Sequence, residues 1–479
     1  MAEWFVSMFS PTYGATIVYM LQSTEYQPLA YLQWFWRVKN FHSVAYRRSL
    51  DKTKAARLLL AVMMVGMVVQ IVAGIVCIVR GQVNRDLLLS WFGIWLVFSY
   101  PIIWAHLVVV PLVLGRLFVI GPRERRQIKA SRTIFAKHPG VTIAVAGSYG
   151  KTSMKELLLT VLSEGKVVAA TPANKNVASS HAIFAARLTG KEDVLIIEYG
   201  EGKPGDVDRF ASTTAPDIGI ITGLAPAHLD HYPNLQAAGK DIFSLADYLH
   251  GKDVYVNAES EAAKEFLQPS YVPYSESVVA DWKIRNIKVD YDGTTFELHK
   301  GKRVIRLKSG LLGRHQVGPL ALAAVLAMKL GLSDKQVTSG IAKTQPYEHR
   351  MQPRNVHGAW IIDDTYNGNI DGIRAGLQLL QDLPAQRKTY VTPGLVDQGV
   401  ETEAVHIKMG ELITRAHPDT VVLMQNSVTS YIRQGLEAGG FGGVVRIEEH
   451  PLEFYTNLEH FLARGDLVVM QNDWTDNYA

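Results

Sequence analysis

The hydrophobic pattern changes character along the chain. Leu58 to Val79 is a run of 22 residues with no charge and a single amide, Gln70. Leu87 to Gly115 is a second run without Lys, Arg, Asp or Glu, interrupted only by Pro101, His106 and Pro111. At about 1.5 Å of rise per residue, such runs match a hydrocarbon core roughly 30 Å thick. Only Arg80–Asp86 separates them, so the pattern predicts a transmembrane helical hairpin. A soluble helix pair this long and uncharged would need a very large core around it. Basic residues flank both outer ends: Arg37, Lys39, Arg47, Arg48, Lys52, Lys54 and Arg57 before, and Arg116, Arg123, Arg125, Arg126, Lys129, Arg132 and Lys137 after. The connecting loop holds only Arg80 and Arg85. By the positive-inside rule both ends face the cytoplasm.

Ahead of the hairpin no basic n-region, apolar core and small-residue cleavage site line up as a secretory signal. That segment is aromatic instead, with Trp4, Phe5, Tyr31, Trp34, Phe35 and Trp36. Two readings stand for these rings: a place at a membrane interface, or packing against the helices that follow.

From residue 138 short apolar runs alternate with helical patterns. Val141–Ala146, Val194–Glu198, Ile218–Thr222 and Val254–Asn257 read as buried parallel strands. Trp282–Val289 and Thr294–Leu298, with turns at Asp292-Gly293 and Lys300-Gly301, read as antiparallel hairpins. Leu320–Leu330 is an alanine-rich helix. After Gln345-Pro346 a second series follows: Ala359–Asp363, Lys388–Val391, Val421–Met424, Val444–Ile447 and Asp466–Met470. The fold class expected is α/β: a mostly parallel-sheet P-loop ATPase domain and a smaller C-terminal α/β domain, preceded by the transmembrane α-helical hairpin. The boundaries expected are 1–57 for the aromatic and basic segment, 58–120 for the hairpin, 121–345 for the central domain and 346–479 for the last.

Composition narrows this little further. The net charge of +4 over 479 residues does not suggest nucleic acid, and one cysteine, Cys77, excludes an intrachain disulfide or a cysteine zinc ribbon.

The candidate chemistry begins after the first strand. Gly147-Ser148-Tyr149-Gly150-Lys151-Thr152-Ser153 is a tight turn into a helix with Met154, Leu157, Leu158 and Val161 on one face. Strand, glycine turn, Lys-Thr and helix form a phosphate cradle. Backbone N–H groups and the helix dipole meet phosphate oxygens, Lys151 reaches the β/γ-phosphates and Thr152 holds Mg²⁺. The longer Walker spacing wants a glycine at 145, where Val145 stands. Other polar groups fall at strand ends: Glu198, then His228, Asp230 and His231, then Asp363 to Asn369. Open α/β sheets bind ligands at that edge. Singly each reads as a surface carboxylate or a packed histidine, and together they point to Mg²⁺–nucleotide. Arg314, His315 and Arg350 supply cationic groups suited to polyphosphate. Lys240, by physics alone, is a solvated helix lysine.

The ordered set Gly147–Thr152, Glu198, Ala227-His228-Leu229, Gly239-Lys240, Gly313-Arg314-His315, Arg350 and Asp364–Asn369 resembles the Mur ligase superfamily, over about residues 138–479. These are ATP-dependent amide ligases of cell-wall peptide assembly. The pattern is most similar to the branch that adds D-alanyl-D-alanine to UDP-N-acetylmuramoyl-tripeptide. The resemblance implies ATP bound by Gly147, Ser148, Gly150, Lys151, Thr152, Ser153, His315, Arg350 and Asp364, the last on the ribose. It implies Mg²⁺ held by Thr152, Glu198, His228 and a carbamylated Lys240, with Lys151, Lys240 and His228 catalytic. Substrate would meet Asn174, Asn176, Arg314, Tyr366, Asn367 and Asn369. The implied partners are a cell-wall peptide precursor and an amino acid or dipeptide amine.

Three departures stand out. The membrane hairpin occupies the place of the family's UDP-gripping domain, which suggests a lipid-linked substrate, or one bound without its nucleotide. Gln316 and Pro319 follow His315 where relatives favour asparagines. Thr392–Gly399 and Gln471–Trp474 differ in the region that holds the incoming amine. The expectation is a ligase at the cytoplasmic membrane. Its alternatives are the ordinary D-alanyl-D-alanine-adding enzyme, a poly-amino-acid or archaeal wall peptide ligase, and a non-catalytic ATP-binding membrane scaffold.

Overall fold

The computed structural model describes all residues except 1, 25, 42–49, 51–52, 173–174, 226–231, 367, 397 and 473–479. The chain divides into two compact units, Met1–Arg126 and Gln127–Ala479.

The first unit is helical. Its two long helices are Lys54–Val83 and Leu87–Leu107, the second continued by Val109–Gly115 and a π-helical turn at Arg116–Ile120. The first is longer than its hydrophobic run, because Arg80 to Val83 stay helical and the turn shrinks to Asn84–Asp86. Thr53 and Asp86 cap the two N-termini, each accepting a backbone N–H at 3.1 Å. The helices meet at glycines: a Cβ on Gly93 would lie 2.5 Å from the Gly74 carbonyl oxygen, so no larger residue fits without separating them. The lone amide is also satisfied there. Gln70 donates to Leu96 O at 3.0 Å and accepts from the Trp104 indole at 2.9 Å.

Three shorter helices, Ala2–Ser7, Tyr13–Ser23 and Pro28–Arg37, precede the pair. Most of their aromatic residues pack inward, while Trp36 is exposed. Tyr31 and Phe35 are wholly buried, and they share a cluster with Met63, Met67 and Ala105. The Tyr13 and Tyr31 hydroxyls donate to the carbonyls of Pro101 at 3.0 Å and Ala105 at 2.9 Å. Of the two readings for this segment, packing against the following helices is observed for Tyr31 and Phe35.

The second unit holds two sheets, as the alternating pattern predicts. The strands of the first are β1 (Val141–Ala146), β2 (Val168–Ala170), β3 (Val194–Glu198), β4 (Ile218–Ile221), β5 (Val254–Asn257), β6 (Val272–Tyr274), β7 (Val278–Val279), β8 (Trp282–Asp290), β9 (Gly293–Lys300) and β10 (Arg303–Ser309). Their order is β10-β9-β8-β7-β6-β5-β4-β1-β3-β2. From β2 to β6 neighbours run parallel, and from β6 to β10 antiparallel. β1 thus lies between β3 and β4, where the chain switches direction across the sheet. Helices Lys151–Leu162 and Val317–Lys329 cover one face with Ile143, Ile196 and Ile220 beneath. Helices Asp206–Thr214 and Leu235–Tyr248 cover the other, over Leu195, Ile197 and Ile221.

The second sheet contains β11 (Gln352–Val356), β12 (Ala359–Asp364), β13 (Arg387–Thr392), β14 (Thr420–Met424), β15 (Val444–Glu448) and β16 (Asp466–Gln471), in the order β11-β12-β16-β13-β14-β15. It is parallel except for the β11–β12 pair. The carboxyl ends of β12, β13 and β16 therefore emerge on one edge.

Candidate functional site

The loop after β1 is shaped by backbone strain that only glycine tolerates. Gly147 has φ +142°, and a Cβ there would lie 2.3 Å from Thr222 Oγ1. Gly150, at φ +73°, starts the helix Lys151–Leu162. The chain turns sharply enough for Lys151 to fold back on its own loop. Its ammonium donates to the Gly147 carbonyl and lies 2.6 Å from Glu201 Oε2. Next to it, the Thr152 hydroxyl donates to Glu198 Oε1 at 3.1 Å.

Glu198, the last residue of β3, is buried and heavily partnered. The Asn176 amide donates to Oε1 at 3.3 Å, and the Lys155 ammonium lies 3.2 Å from Oε2. Lys155 is itself wholly buried, so this ion pair lies away from water. His181 donates from Nε2 to the Glu198 carbonyl at 2.9 Å, and burial pulls this imidazole down to about 4, so it is neutral near pH 7.

A cavity of about 450 Å³ runs from the cradle to the second sheet. Tyr149, Gly150 and Ser153 line it on one side, Arg314 and His315 on another, and Arg350, Asp364, Tyr366 and Asn369 across from them. The two domains touch here: the Tyr149 hydroxyl donates to Asp371 Oδ2 at 3.1 Å. The Arg350 guanidinium lies 4.3 Å over the Tyr366 ring, which fixes its plane toward the cavity. Arg314 is held by Glu276 at 2.9 Å. Burial lowers His315 to about 4, leaving a neutral ring that accepts or donates one hydrogen bond. Asn369 accepts the Gly372 N–H at 2.9 Å and caps the helix Ile370–Asp382.

Asp364, at the end of β12, is the most perturbed acid of the cavity. Burial pushes its carboxyl up to about 7, against the opposing pull of Gln471, the Met351 N–H and Arg350. Gln471 donates to Asp364 Oδ2 at 2.7 Å and to Gly372 O at 2.9 Å, and accepts from Tyr390 at 2.9 Å. At the neighbouring strand end Asn472 donates to Gly394 O at 3.0 Å and the buried His406 accepts the Leu395 N–H at 2.9 Å.

The structure therefore brings Ser148, Lys151, Thr152, Asn176 and Glu198 around one loop, and places Gly150, Ser153, Arg314, His315, Arg350, Asp364, Tyr366 and Asn369 on one cavity. Ser148 donates its N–H to Gly223 O at 2.9 Å, tying the loop to the end of β4. Lys240 is exposed on its helix, and among the described residues no hydrogen bond or ion pair joins it to Glu198 or Thr152. Asn174, His228 and Asn367 lie outside the described residues. Four contributing side chains have no role assigned to them from sequence: Lys155, His181, Glu201 and Gln471, the last named there only within the departing stretch Gln471–Trp474. Of these, Lys155 had a usable signal, since its place one turn beyond Lys151 points it back to the loop.

Thr152 and Glu198 offer hard oxygens at a helix start. Mg²⁺ with a nucleotide takes one or two protein oxygens and completes its shell from phosphates and water. Among the described residues no group of three or more His, Cys, Asp or Glu is placed to hold a metal without them. The donors present fit a cation that arrives with phosphate.

A P-loop α/β domain that presents its phosphate cradle to a second α/β domain is the class this geometry defines. Within that class the family is given by sequence. Residues 145–327 match the Mur ligase middle domain, and residues 349–471 match the Mur ligase glutamate ligase domain. The chain belongs to the Mur ligases. It is 28% identical over 294 residues to the UDP-N-acetylmuramoyl-tripeptide--D-alanyl-D-alanine ligase of Escherichia coli, covering 59% of this chain and 64% of that one. A relative of the same name from Mycobacterium bovis is 29% identical over 298 residues, covering 60% of this chain and 58% of its own length. The chain thus spans about three-fifths of these curated relatives. Among solved structures, the ADP complex of MurF from Thermotoga maritima has a TM-score of 0.64 at 18% identity, covering 73% of this chain and 80% of that one. MurF from Acinetobacter baumannii has 0.62 at 19%, covering 73% and 77%. These two likenesses establish the fold.

Proposed function

We propose that this chain is a membrane-anchored, ATP-dependent amide ligase that extends a wall-type peptide at the cytoplasmic face. The observation that carries it is one cavity lined by Gly150 and Ser153 of the cradle and, from the second domain, by Arg350 and Asp364. That arrangement suits a triphosphate at the cradle and its ribose at Asp364.

Chemically, a substrate carboxylate oxygen attacks the γ-phosphorus, the bond to the ADP oxygen breaks, and an acyl phosphate forms. An amine nitrogen then attacks the acyl carbon, phosphate leaves, and the amine gives up a proton. In the first step Lys151 would neutralise charge growing on the phosphoryl oxygens. Mg²⁺, when bound at Thr152 and Glu198, supplies further neutralisation. Lys155 and Asn176 hold Glu198 in place for it. Tyr149 and Asp371 hold the second domain against the cradle, which helps keep water from the acyl phosphate.

Two features support a membrane anchor. Helices Ala56–Val83 and Leu87–Lys137 are long and apolar enough to cross a bilayer, with 17% of the most apolar stretch of each buried in the protein. Large apolar side chains such as Val65, Val72, Leu88, Trp91 and Trp95 are exposed on them. A bilayer covers such a surface. With that anchor where relatives carry a UDP-binding domain, we take a lipid-linked acceptor as the substrate and soluble UDP-muramoyl tripeptide as the alternative. The test is phosphate release by the detergent-solubilised chain, given ATP, D-alanyl-D-alanine and either acceptor. Release that needs both acceptor and amine supports the ligase; nucleotide binding without release under every combination supports a scaffold.

A further inference from the structure

Glu201 lies three residues beyond Glu198, past the end of β3, and takes no part in the chemistry above. Its side chain is only 4% exposed. One carboxylate oxygen, Oε2, lies 2.6 Å from the Lys151 ammonium, itself 11% exposed. The other, Oε1, is buried and has no hydrogen-bond partner. A buried carboxylate oxygen without a donor is unfavourable and calls for an explanation.

We propose that Glu201 is a ligand of the divalent cation that accompanies the nucleotide phosphates, and that its ion pair with Lys151 is the resting arrangement that phosphate displaces. This rests on the nucleotide reading above. Charge balance is the argument. Without phosphate, Lys151 offsets Glu201 and Lys155 offsets Glu198. A bound phosphate claims Lys151 and leaves Glu201 buried with no counter-charge, which is strongly unfavourable. A divalent cation between phosphate, Glu198 and Glu201 restores the balance, and Oε1 gains the partner it lacks. Burial first, then the Asp241 hydrogen bond and the charges of Asp241, Glu201 and Asp206, raise the Tyr232 hydroxyl, so the surroundings of that hydroxyl are acidic.

The test is Mn²⁺ binding, read by electron paramagnetic resonance on the full chain in detergent, with ADP saturating. Glu201→Gln should weaken Mn²⁺ by about tenfold or more, the range that removing a supporting metal-site group produces. Glu201→Asp, which keeps the charge, should recover most of that loss. ADP without metal should bind Glu201→Gln at least as well as wild type, because Lys151 is released from its partner. Unchanged Mn²⁺ affinity in Glu201→Gln overturns the ligand role and leaves Glu201 as a latch on Lys151. A wild-type chain that binds no ADP overturns this proposal together with the nucleotide reading. Thermal melts of all three chains show whether any loss is one of folding.

Discussion

Asp364 makes the pH dependence of nucleotide binding calculable. Its carboxyl is pushed from 3.8 up to about 7, with burial as the largest cause. A ribose hydroxyl donates best to the ionised form. Between pH 6 and pH 8 the ionised fraction rises from about one-tenth to about nine-tenths, a change worth roughly 1.3 kcal/mol. ADP affinity should therefore rise about ninefold over that interval through Asp364 alone. The terminal phosphate of ADP titrates in the same range, so Asp364→Asn is the reference: its profile is subtracted from that of wild type. Stability follows the opposite sign. A carboxyl raised in the fold binds more protons folded than unfolded between pH 4 and 7, so its contribution is lost as pH rises through 7. At pH 8 the substitution should stabilise the chain by up to about 4 kcal/mol, seen as a higher Tm than wild type. Isothermal titration with ADP at five pH values, with melts alongside, provides both readings. Superimposable ADP profiles for wild type and Asp364→Asn, with equal Tm at pH 8, would refute the reasoning.

Other substitutions test the remaining parts. Lys151→Ala should cut ATP-dependent turnover by about 10²-fold or more while the chain still purifies from membranes with unchanged far-ultraviolet circular dichroism. Gly147→Ala meets both a φ of +142° and the Thr222 hydroxyl, and should lower stability by about 2 kcal/mol or more, read as a lower melting midpoint. Gln471→Leu removes three hydrogen bonds, one of them to Asp364; with the stabilising donor gone, the midpoint of the ADP pH profile should move above 7. Gly93→Leu forces apart the two long helices of the first unit, and should make that unit protease-sensitive in detergent.

Much of the fold was readable because parallel strands buried on both faces are runs of β-branched residues, as at Val141–Ala146 and Val194–Glu198. Of the strands that escaped, β6 and β7 have only three and two residues. β2 has three residues, and β11 reads Gln-Pro-Arg-Asn-Val, which an edge position tolerates and a pattern search rejects. Site residues followed the same logic. Glu198 and Asp364 end strands that the pattern locates, and Lys151 follows the loop after another, so their places in the fold were foreseeable. Glu201 and Gln471 were not. Each is an ordinary polar residue whose burial comes from a partner far away in sequence: Lys151 for Glu201, and Asp364 and Tyr390 for Gln471. The aromatic N-terminal segment left two readings open because rings suited to a bilayer interface are equally suited to a helical core. The bonds from Tyr13 and Tyr31 to helix carbonyls put those two rings in the helical core.

The central claim is that the cavity between the two sheets turns a carboxylate into an acyl phosphate. An acceptor peptide labelled with ¹⁸O in its carboxylate, incubated with the chain, ATP and D-alanyl-D-alanine, tests it directly. Attack on the γ-phosphorus predicts phosphate carrying one ¹⁸O for each amide formed. Unlabelled phosphate, or label appearing in AMP, would contradict it.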